Sequence, residues 1–305
     1  MKEIYRLSDL RSWKKSAKQP VRLGVFGDPV AHSLSPQMQN AALKQSKIDM
    51  QYGRFQVASG ELSEAVELCR KHDFVGLNLT VPHKVAALEL VDDLDPEARQ
   101  IGAVNTIAIR DGRLVGFNTD SAGFARALRS EFSIDLRDLR VLLLGAGGAA
   151  RAIAAQCARA QSERLAIAAR DVEKAEALVN TVRGSFTGPR VLGPVARLEA
   201  VPWSESALRS QLEHTDLVVN ATPIGLQPND AEVLPVTLLQ PHLFVFDTVY
   251  AAHPTRLVKN AREAGARAID GLPMLLQQGA RAFEIWFQGE APIEVMRQAL
   301  ESASR

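Results

Sequence analysis

Cysteine is nearly absent: the 305 residues include two, Cys69 and Cys157. Two thiols in so long a chain cannot make a disulfide scaffold. Both fall in helix-like stretches (61–71 and 149–160), as reduced residues in or near a core. An excess of charge of either sign is also lacking. Lys and Arg number 36 against 35 Asp and Glu, and the formal net charge of +1 gives neither nucleic acid nor an anionic membrane an electrostatic hold. The basic clusters Arg11–Lys18 and Arg137–Arg140 are short and interrupted, and read as solvated surface. No apolar run reaches the roughly eighteen residues that a membrane-spanning helix needs. Met1–Pro20 is polar and basic, without the apolar centre of a secretory signal. The six histidines (32, 72, 83, 214, 242 and 253) show no metal-ligand spacing, so no metal is expected. Internal repeats and low-complexity segments are missing too. These absences leave a cytoplasmic globular protein, 46% hydrophobic and 23% charged, with small-molecule partners only. Its length suits two domains, and the sequence is silent between monomer and homodimer.

Strand-like and helix-like segments alternate along the chain. After the polar lead-in, Val21–Phe26 is an apolar strand ending in the turn residues Gly27-Asp28-Pro29. Ser35-Pro36 opens a helix through Lys47, with Ser35 at the N-cap and Pro36 at the first helical position. Strands over 52–57 and 75–81 flank a helix over 61–71. This spacing of βα units predicts a largely parallel sheet with helices on its faces. A second series begins near Val141: strands over 141–144, 165–169, 217–220 and 243–247, with helices over 149–160 and 172–182. Two helices, 273–287 and 293–302, close the chain. The interval 121–140 separates the two series and marks the domain break.

The second series carries a specific signal. Strand 141–144 runs straight into Gly145-Ala146-Gly147-Gly148-Ala149-Ala150 and then a helix. The first glycine permits a tight turn, and the second lets a pyrophosphate approach the backbone. The small residue at the third position lets helix pack on strand, and the phosphates meet the amides of the helix N-terminus. A small-residue turn packed for its own sake would not need all three contexts. This is the signature of a Rossmann-type, doubly wound nucleotide-binding domain. At the tip of the next strand, an acidic residue would hold the ribose diol of NAD, and an arginine suits the 2′-phosphate of NADP. Here Ala169 is followed by Arg170, with Lys174 one turn on, and Asp171 reads as the cap of its own helix. NADP is therefore expected, with NAD as the alternative.

In the first series, polar groups gather where strands end. His32-Ser33-Leu34-Ser35-Pro36 follows the first strand, and Asn78-Leu79-Thr80-Val81-Pro82-His83-Lys84 ends the third. Gly116-Phe117-Asn118-Thr119-Asp120 adds a carboxylate just before the break. The carboxyl ends of strands are where open α/β sheets bind ligands. Singly, each has a plainer explanation: Ser35 a cap, Thr80 a turn residue, Lys84 and Asp120 solvated charges.

Together with Gly102-Ala103-Val104-Asn105-Thr106, Asn220 to Gly225, Asp247-Thr248-Val249-Tyr250 and Gly271 to Gln278, these motifs stand in an order that resembles the shikimate dehydrogenase family from Val21 almost to the C-terminus. The resemblance implies NADPH-dependent, reversible reduction of 3-dehydroshikimate to shikimate, in chorismate and aromatic amino acid biosynthesis. It implies an α/β substrate domain in two pieces (1–121 and 271–305) around an NADP-binding domain (122–270). Lys84 and Asp120 would be the catalytic pair. Ser33 and Ser35 would hold the substrate carboxylate; Asn78, Thr80, Asn105 and Gln278 would bind ring hydroxyls; Tyr250 would help enclose the substrate. Thr222 and Gly271 would join the glycine loop, Arg170 and Lys174 at the cofactor.

The chemistry agrees. Hydride reaching a carbonyl carbon leaves charge on oxygen, which a lysine ammonium can meet with a proton while a carboxylate orients it. His83 beside Lys84 reads as a turn or surface residue instead. Two positions depart from the family pattern: Gln39 stands on the helix where histidine is usual, and Ala169-Arg170-Asp171 stands in place of Asn-Arg-Thr. The alternatives are an NAD-using quinate/shikimate dehydrogenase and a non-catalytic metabolite sensor, for which an acid/base pair would be idle.

Overall fold

The computed structural model describes residues 2–13, 19–187, 196–227, 229–251 and 253–304. The chain divides into two compact units, Met1–Gly123 with Leu275–Arg305, and Phe124–Met274. Both are α/β.

The first unit opens with elements that the polar lead-in hid: a two-residue strand β1 (Tyr5–Arg6) and a short helix α1 (Leu7–Arg11). β1 pairs in parallel with a later strand, and Tyr5 and Trp13 pack on Phe55. Of the basic cluster at 11–18, Arg11 pairs with Glu64 at 2.6 Å; residues 14–18 lie outside the described residues. Next come β2 (Val21–Gly27), α2 (Ser35–Gln45), β3 (Gln51–Gln56), α3 (Leu62–Lys71) and β4 (Gly76–Leu79). They are followed by β5 (Asp93–Leu94), α4 (Pro96–Ile101), β6 (Thr106–Arg110) and β7 (Arg113–Phe117). The sheet order is β1-β3-β2-β4-β6-β7-β5. It is parallel from β1 to β4, after which β6 runs antiparallel to both β4 and β7. A purely βα reading passes over this hairpin. Its signal is Asp111-Gly112, whose φ of 50° and 74° are what a two-residue type I′ turn requires.

The interval 121–140, between the two series, is mostly helix α5 (Asp120–Phe132). Beyond it β8 (Arg140–Leu144), α6 (Gly148–Ala160), β9 (Arg164–Ala169), α7 (Val172–Arg183), β10 (Leu198–Pro202) and α8 (Glu205–Leu212) build the second unit. β11 (Leu217–Asn220), β12 (Phe244–Asp247), α9 (Arg256–Glu263) and β13 (Arg267–Ile269) complete it. Its sheet, β10-β9-β8-β11-β12-β13, is parallel throughout. The chain winds outward from β8 through β9 to β10, then restarts on the other side at β11: the doubly wound order, with its switch point between β8 and β11. Strands covered on both faces need unbroken apolar runs. Accordingly Leu143, Ile167 and Val219 pack under α6 and α7, while Leu142, Leu144 and Val218 pack under α8 and α9. Arg140, expected on a solvated surface, is instead half-buried and bonded to Asp216 at 2.5 Å. Both cysteines are free and buried, on α3 and α6, and burial pushes the Cys157 thiol up to about 12.

Helices α10 (Leu272–Phe287) and α11 (Ile293–Ala303) end the chain, and from Leu275 onward they belong to the first unit. Two glycines let elements approach closely there. A Cβ on Gly76 would lie 2.1 Å from the Trp286 indole nitrogen, which donates to the Ile107 carbonyl at 3.0 Å. A Cβ on Gly123 would lie 2.8 Å from that of Gln278. Among the described residues no helix is long and apolar enough to cross a membrane.

Candidate active site

Strand direction explains why the predicted residues meet. β2, β3 and β4 are parallel, so Gly27, Gln56 and Leu79 end at one edge of the sheet. Asn78 pairs with Thr106 at the start of antiparallel β6, and Thr106 pairs with Phe117 at the end of β7. The segments carrying Ser33, Thr80–Lys84, Asn105 and Asn118–Asp120 therefore all emerge at this edge.

Lys84 and Asp120 are a pair rather than separate surface charges. The Lys84 Nζ donates to Asp120 Oδ2 at 2.5 Å, with 15% and 6% of the two side chains exposed. Asp120 begins α5, and its amide donates to Asn118 Oδ1 at 3.1 Å. Its other oxygen accepts from Asn105 Nδ2 at 2.9 Å. Asn105 also donates to Thr119 Oγ1 at 2.9 Å, and its side-chain carbonyl accepts from the Thr119 amide at 2.8 Å. Asn78 Nδ2 donates to Thr106 Oγ1 at 3.0 Å and to the Asn105 backbone carbonyl at 3.3 Å. Gln278 Oε1 lies 3.5 Å from Asn105 Nδ2 and from Thr119 Oγ1. Lys84, Asn78, Asn105, Asp120 and Gln278 thus form one cluster, in which the amide protons of Asn78 and Asn105 are committed to protein acceptors.

Ser33 and Ser35 are both buried. Helix α2 begins one residue earlier than expected: Leu34 is the N-cap, Ser35 is the first helical residue, and there is no side-chain cap bond. Helix ends are set by backbone geometry, and a proline at the second position is tolerated as well as at the first. The Ser35 hydroxyl is consequently not spent on capping. The Ser33 hydroxyl accepts from the Ser35 amide at 3.3 Å, and Arg54 Nε donates to the Ser33 carbonyl at 2.8 Å. Arg54, on β3, brings a cation to the serine loop that sequence reasoning missed, because a lone arginine within a strand carries no motif. Thr80 is half-buried beyond β4, with its methyl in the space above Gly27. Gln39 is buried and donates to the Gly279 carbonyl at 2.9 Å, tying α2 to α10. His83 is in a turn but not at the surface. Only 1% of it is exposed, its Nε2 is bonded to the Val57 carbonyl at 2.8 Å, and burial holds its pKa below the ordinary histidine value.

In the second unit the glycine loop leaves β8 with Gly145 at φ +115°, where a Cβ would lie 3.0 Å from the Ala221 carbonyl and from Thr222 Cγ2. Ala146, Gly148 and Ala149 are half-buried around it. Gly147 caps α6 with no side-chain cap bond, and nothing lies within 4 Å of where its Cβ would be. The first-turn amides of this 13-residue helix have no partner within it, and the open space at Gly147 leaves room beside them, which fits a pyrophosphate. Thr222 follows β11 across the switch point, with its amide and hydroxyl both on Asn220 Oδ1. Arg170 is exposed after β9. Asp171 caps α7 by accepting from the Lys174 amide at 3.4 Å, and it pairs with Lys174 Nζ at 3.1 Å. The Lys174 charge is therefore shared with the cap. Gly271 approaches Thr248, and Tyr250 lies half-buried beyond β12.

Asp247, between these loops, is a buried carboxyl that the sequence did not mark as titratable. Burial pushes it up to about 6, against hydrogen bonds from Thr255 Oγ1 (2.7 Å), the Val249 amide (3.0 Å) and Asn220 Nδ2 (2.8 Å). An unfolded aspartate titrates near 4. The folded state therefore binds the proton more tightly, and stability contributed below about pH 4 is lost as pH rises through about 6. Asp247→Asn keeps the acceptor oxygen and cannot ionise. Its thermal unfolding midpoint is expected to fall less than that of the parent between about pH 4.5 and 7. Equal slopes over that interval would refute the assignment.

Comparison with known proteins decides the family. Residues 25–107 match the shikimate dehydrogenase substrate binding domain, and residues 271–301 the shikimate 5'-dehydrogenase C-terminal domain. Residues 141–229 match the saccharopine dehydrogenase NADP binding domain. The shikimate dehydrogenase (NADP(+)) of Methanopyrus kandleri is 44% identical over 280 residues, covering 91% of this chain and 94% of the relative. The chain belongs to the shikimate dehydrogenase family. Among solved structures of the family, a shikimate dehydrogenase in complex with NADP+ superimposes with a TM-score of 0.84 at 37% identity, over 96% of this chain and 98% of that one. The Thermus thermophilus enzyme, in complex with NADP(H) and shikimate, gives 0.78 at 36% identity, over 93% and 99%.

Proposed function

We infer that the chain reversibly reduces 3-dehydroshikimate to shikimate with NADP as hydride carrier. The observation that carries this reading is the Lys84–Asp120 pair at 2.5 Å, held by Asn105 at the same sheet edge as the two serines. The glycine loop, Arg170, Lys174, Thr222 and Gly271 would hold NADP, which supplies the hydride when bound. Lys84 Nζ donates a proton to the ketone oxygen as charge develops on it, and takes the proton back in the reverse direction. Asp120 keeps the ammonium aimed, and its charge offsets that of lysine in a largely buried site. Ser33 and Ser35 hold the carboxylate by their hydroxyls, with the positive charge of Arg54 behind the loop. Thr80 and Gln278 bind ring hydroxyls, Asn78 contributes through the second lone pair of its Oδ1, Asn105 lies beside the ring hydroxyls and holds Asp120 in place, and Tyr250 helps cover the ring. The reading extends to a cytoplasmic enzyme, monomeric or homodimeric, whose net charge of +1 gives no basis for a nucleic-acid or membrane partner.

Orientation of the carboxylate by serine is testable by a split of kinetic constants. A hydrogen bond to a charged group contributes roughly 1.5–3 kcal/mol. Ser35→Ala should therefore raise KM for shikimate about tenfold or more, while kcat stays within about twofold, the pattern of lost ground-state binding. An unchanged KM would remove Ser35 from the substrate site.

A further inference from the structure

Tyr52 lies on β3, fully buried. Its backbone is clamped by Asn40, which donates to the Tyr52 carbonyl at 2.9 Å and accepts from its amide at 2.8 Å. Its ring sits against Trp286, 6.1 Å between centroids. The phenol therefore has a fixed position, and it donates to Asn78 Oδ1 at 2.8 Å.

The polarity of the hydrogen bonds beyond Asn78 is determined from the Asp120 end. Opposite the Lys84 ammonium, the Asp120 carboxylate can only accept, so Asn105 must present its NH2 to it. The backbone amide of Thr119, which can only donate, fixes the same orientation by pointing at Asn105 Oδ1. Thr106 has one hydroxyl proton and donates it to Asn105 Oδ1 at 3.0 Å, so its lone pairs must accept from Asn78 Nδ2. Asn78 then turns its carbonyl oxygen to Tyr52, which must donate. Tyr52, Asn78, Thr106, Asn105 and Asp120 are thus donors and acceptors in one direction, each link polarising the next.

Resting on the function proposed above, we propose that Tyr52 is a positioning residue for the Lys84–Asp120 pair, acting through Asn78, Thr106 and Asn105. Being fully buried, it touches no substrate. Without the phenol hydroxyl, Asn78 Oδ1 loses its donor and the amide is held only from its NH2 side, by the Asn105 carbonyl at 3.3 Å and Thr106 at 3.0 Å. Its shift loosens Thr106 on Asn105 Oδ1, and the hold of Asn105 on Asp120 slackens.

Tyr52→Phe removes one oxygen at nearly constant volume. A typical net hydrogen bond is small enough that kcat for shikimate oxidation should fall about three- to tenfold, with KM within about twofold. In an Asp120→Asn background the same change should alter kcat less than about twofold, because its route of action is gone. Thr106→Val cuts the chain midway, and adding Tyr52→Phe to it should cause no further loss. Equal losses in all backgrounds, or a change confined to KM, would overturn the proposal. The Asn105 side-chain amide signals, read by NMR in ligand-free Tyr52→Phe, judge the relay without substrate: displaced signals support it and unmoved ones refute it. A parent protein inactive on shikimate would instead refute the proposed function, and the NMR result would still decide the relay.

Discussion

Lys84→Ala is expected to lower turnover of shikimate by roughly 10²–10⁴-fold, the usual contribution of a positioned proton donor, while shikimate still binds. The ammonium is one of two charges in a buried pair, and its removal does two things. The developing oxyanion loses its donor, and Asp120 is left without its partner in a site where only 6% of its side chain is exposed. An unpaired buried charge is costly, so the variant should also unfold at lower temperature. Lys84→Met, which keeps the length of the side chain, should lose activity as fully but with better packing. Steady-state turnover and shikimate binding by calorimetry separate the effects. Near-normal turnover in either variant would take lysine out of the chemistry. Loss of binding alone would make it a substrate ligand.

The second large effect is expected at Gly145, where strain from an Ala substitution should weaken NADP binding about ten- to hundredfold. A backbone angle of φ +115° is one that L side chains rarely adopt, and the new Cβ would press on the Ala221 carbonyl at 3.0 Å. Strain of this kind costs roughly 1–3 kcal/mol, relieved by moving the loop away from the position that presents the α6 amides. Shikimate binding, which rests on residues of the other unit, should remain. NADP affinity within about twofold of the parent would show that the loop does not hold the phosphates.

Much of this is legible in the sequence where local rules govern. Leu217–Asn220 is found at its expected bounds because an unbroken apolar run with two covered faces leaves no ambiguity. The glycine loop is legible because strand, spacing and helix agree. The β6–β7 hairpin escapes a sequence reading although Asp111-Gly112 is a strong turn signal, because the βα rhythm around it suggests continued parallel strands. β1 is hidden by its two-residue length and polar context. The site divides in the same way. Lys84 and Asp120 are legible only as members of a chain-wide motif set, since 36 residues separate them and neither is distinctive alone. Arg54 and Tyr52 stay hidden because their roles come from hydrogen bonds to Ser33 and Asn78, residues that only the folded chain brings beside them. His83 misleads, since a polar residue in a turn reads as exposed until the fold places Val57 over it.

The most direct test is a steady-state assay of the parent protein with shikimate and with quinate, each with NADP+ and with NAD+, tracking formation of the reduced nicotinamide. The two serines, Arg170 and Lys174 predict the highest kcat/KM for shikimate with NADP+. A clear preference for quinate with NAD+, or no turnover with any of the four pairs, would contradict the account.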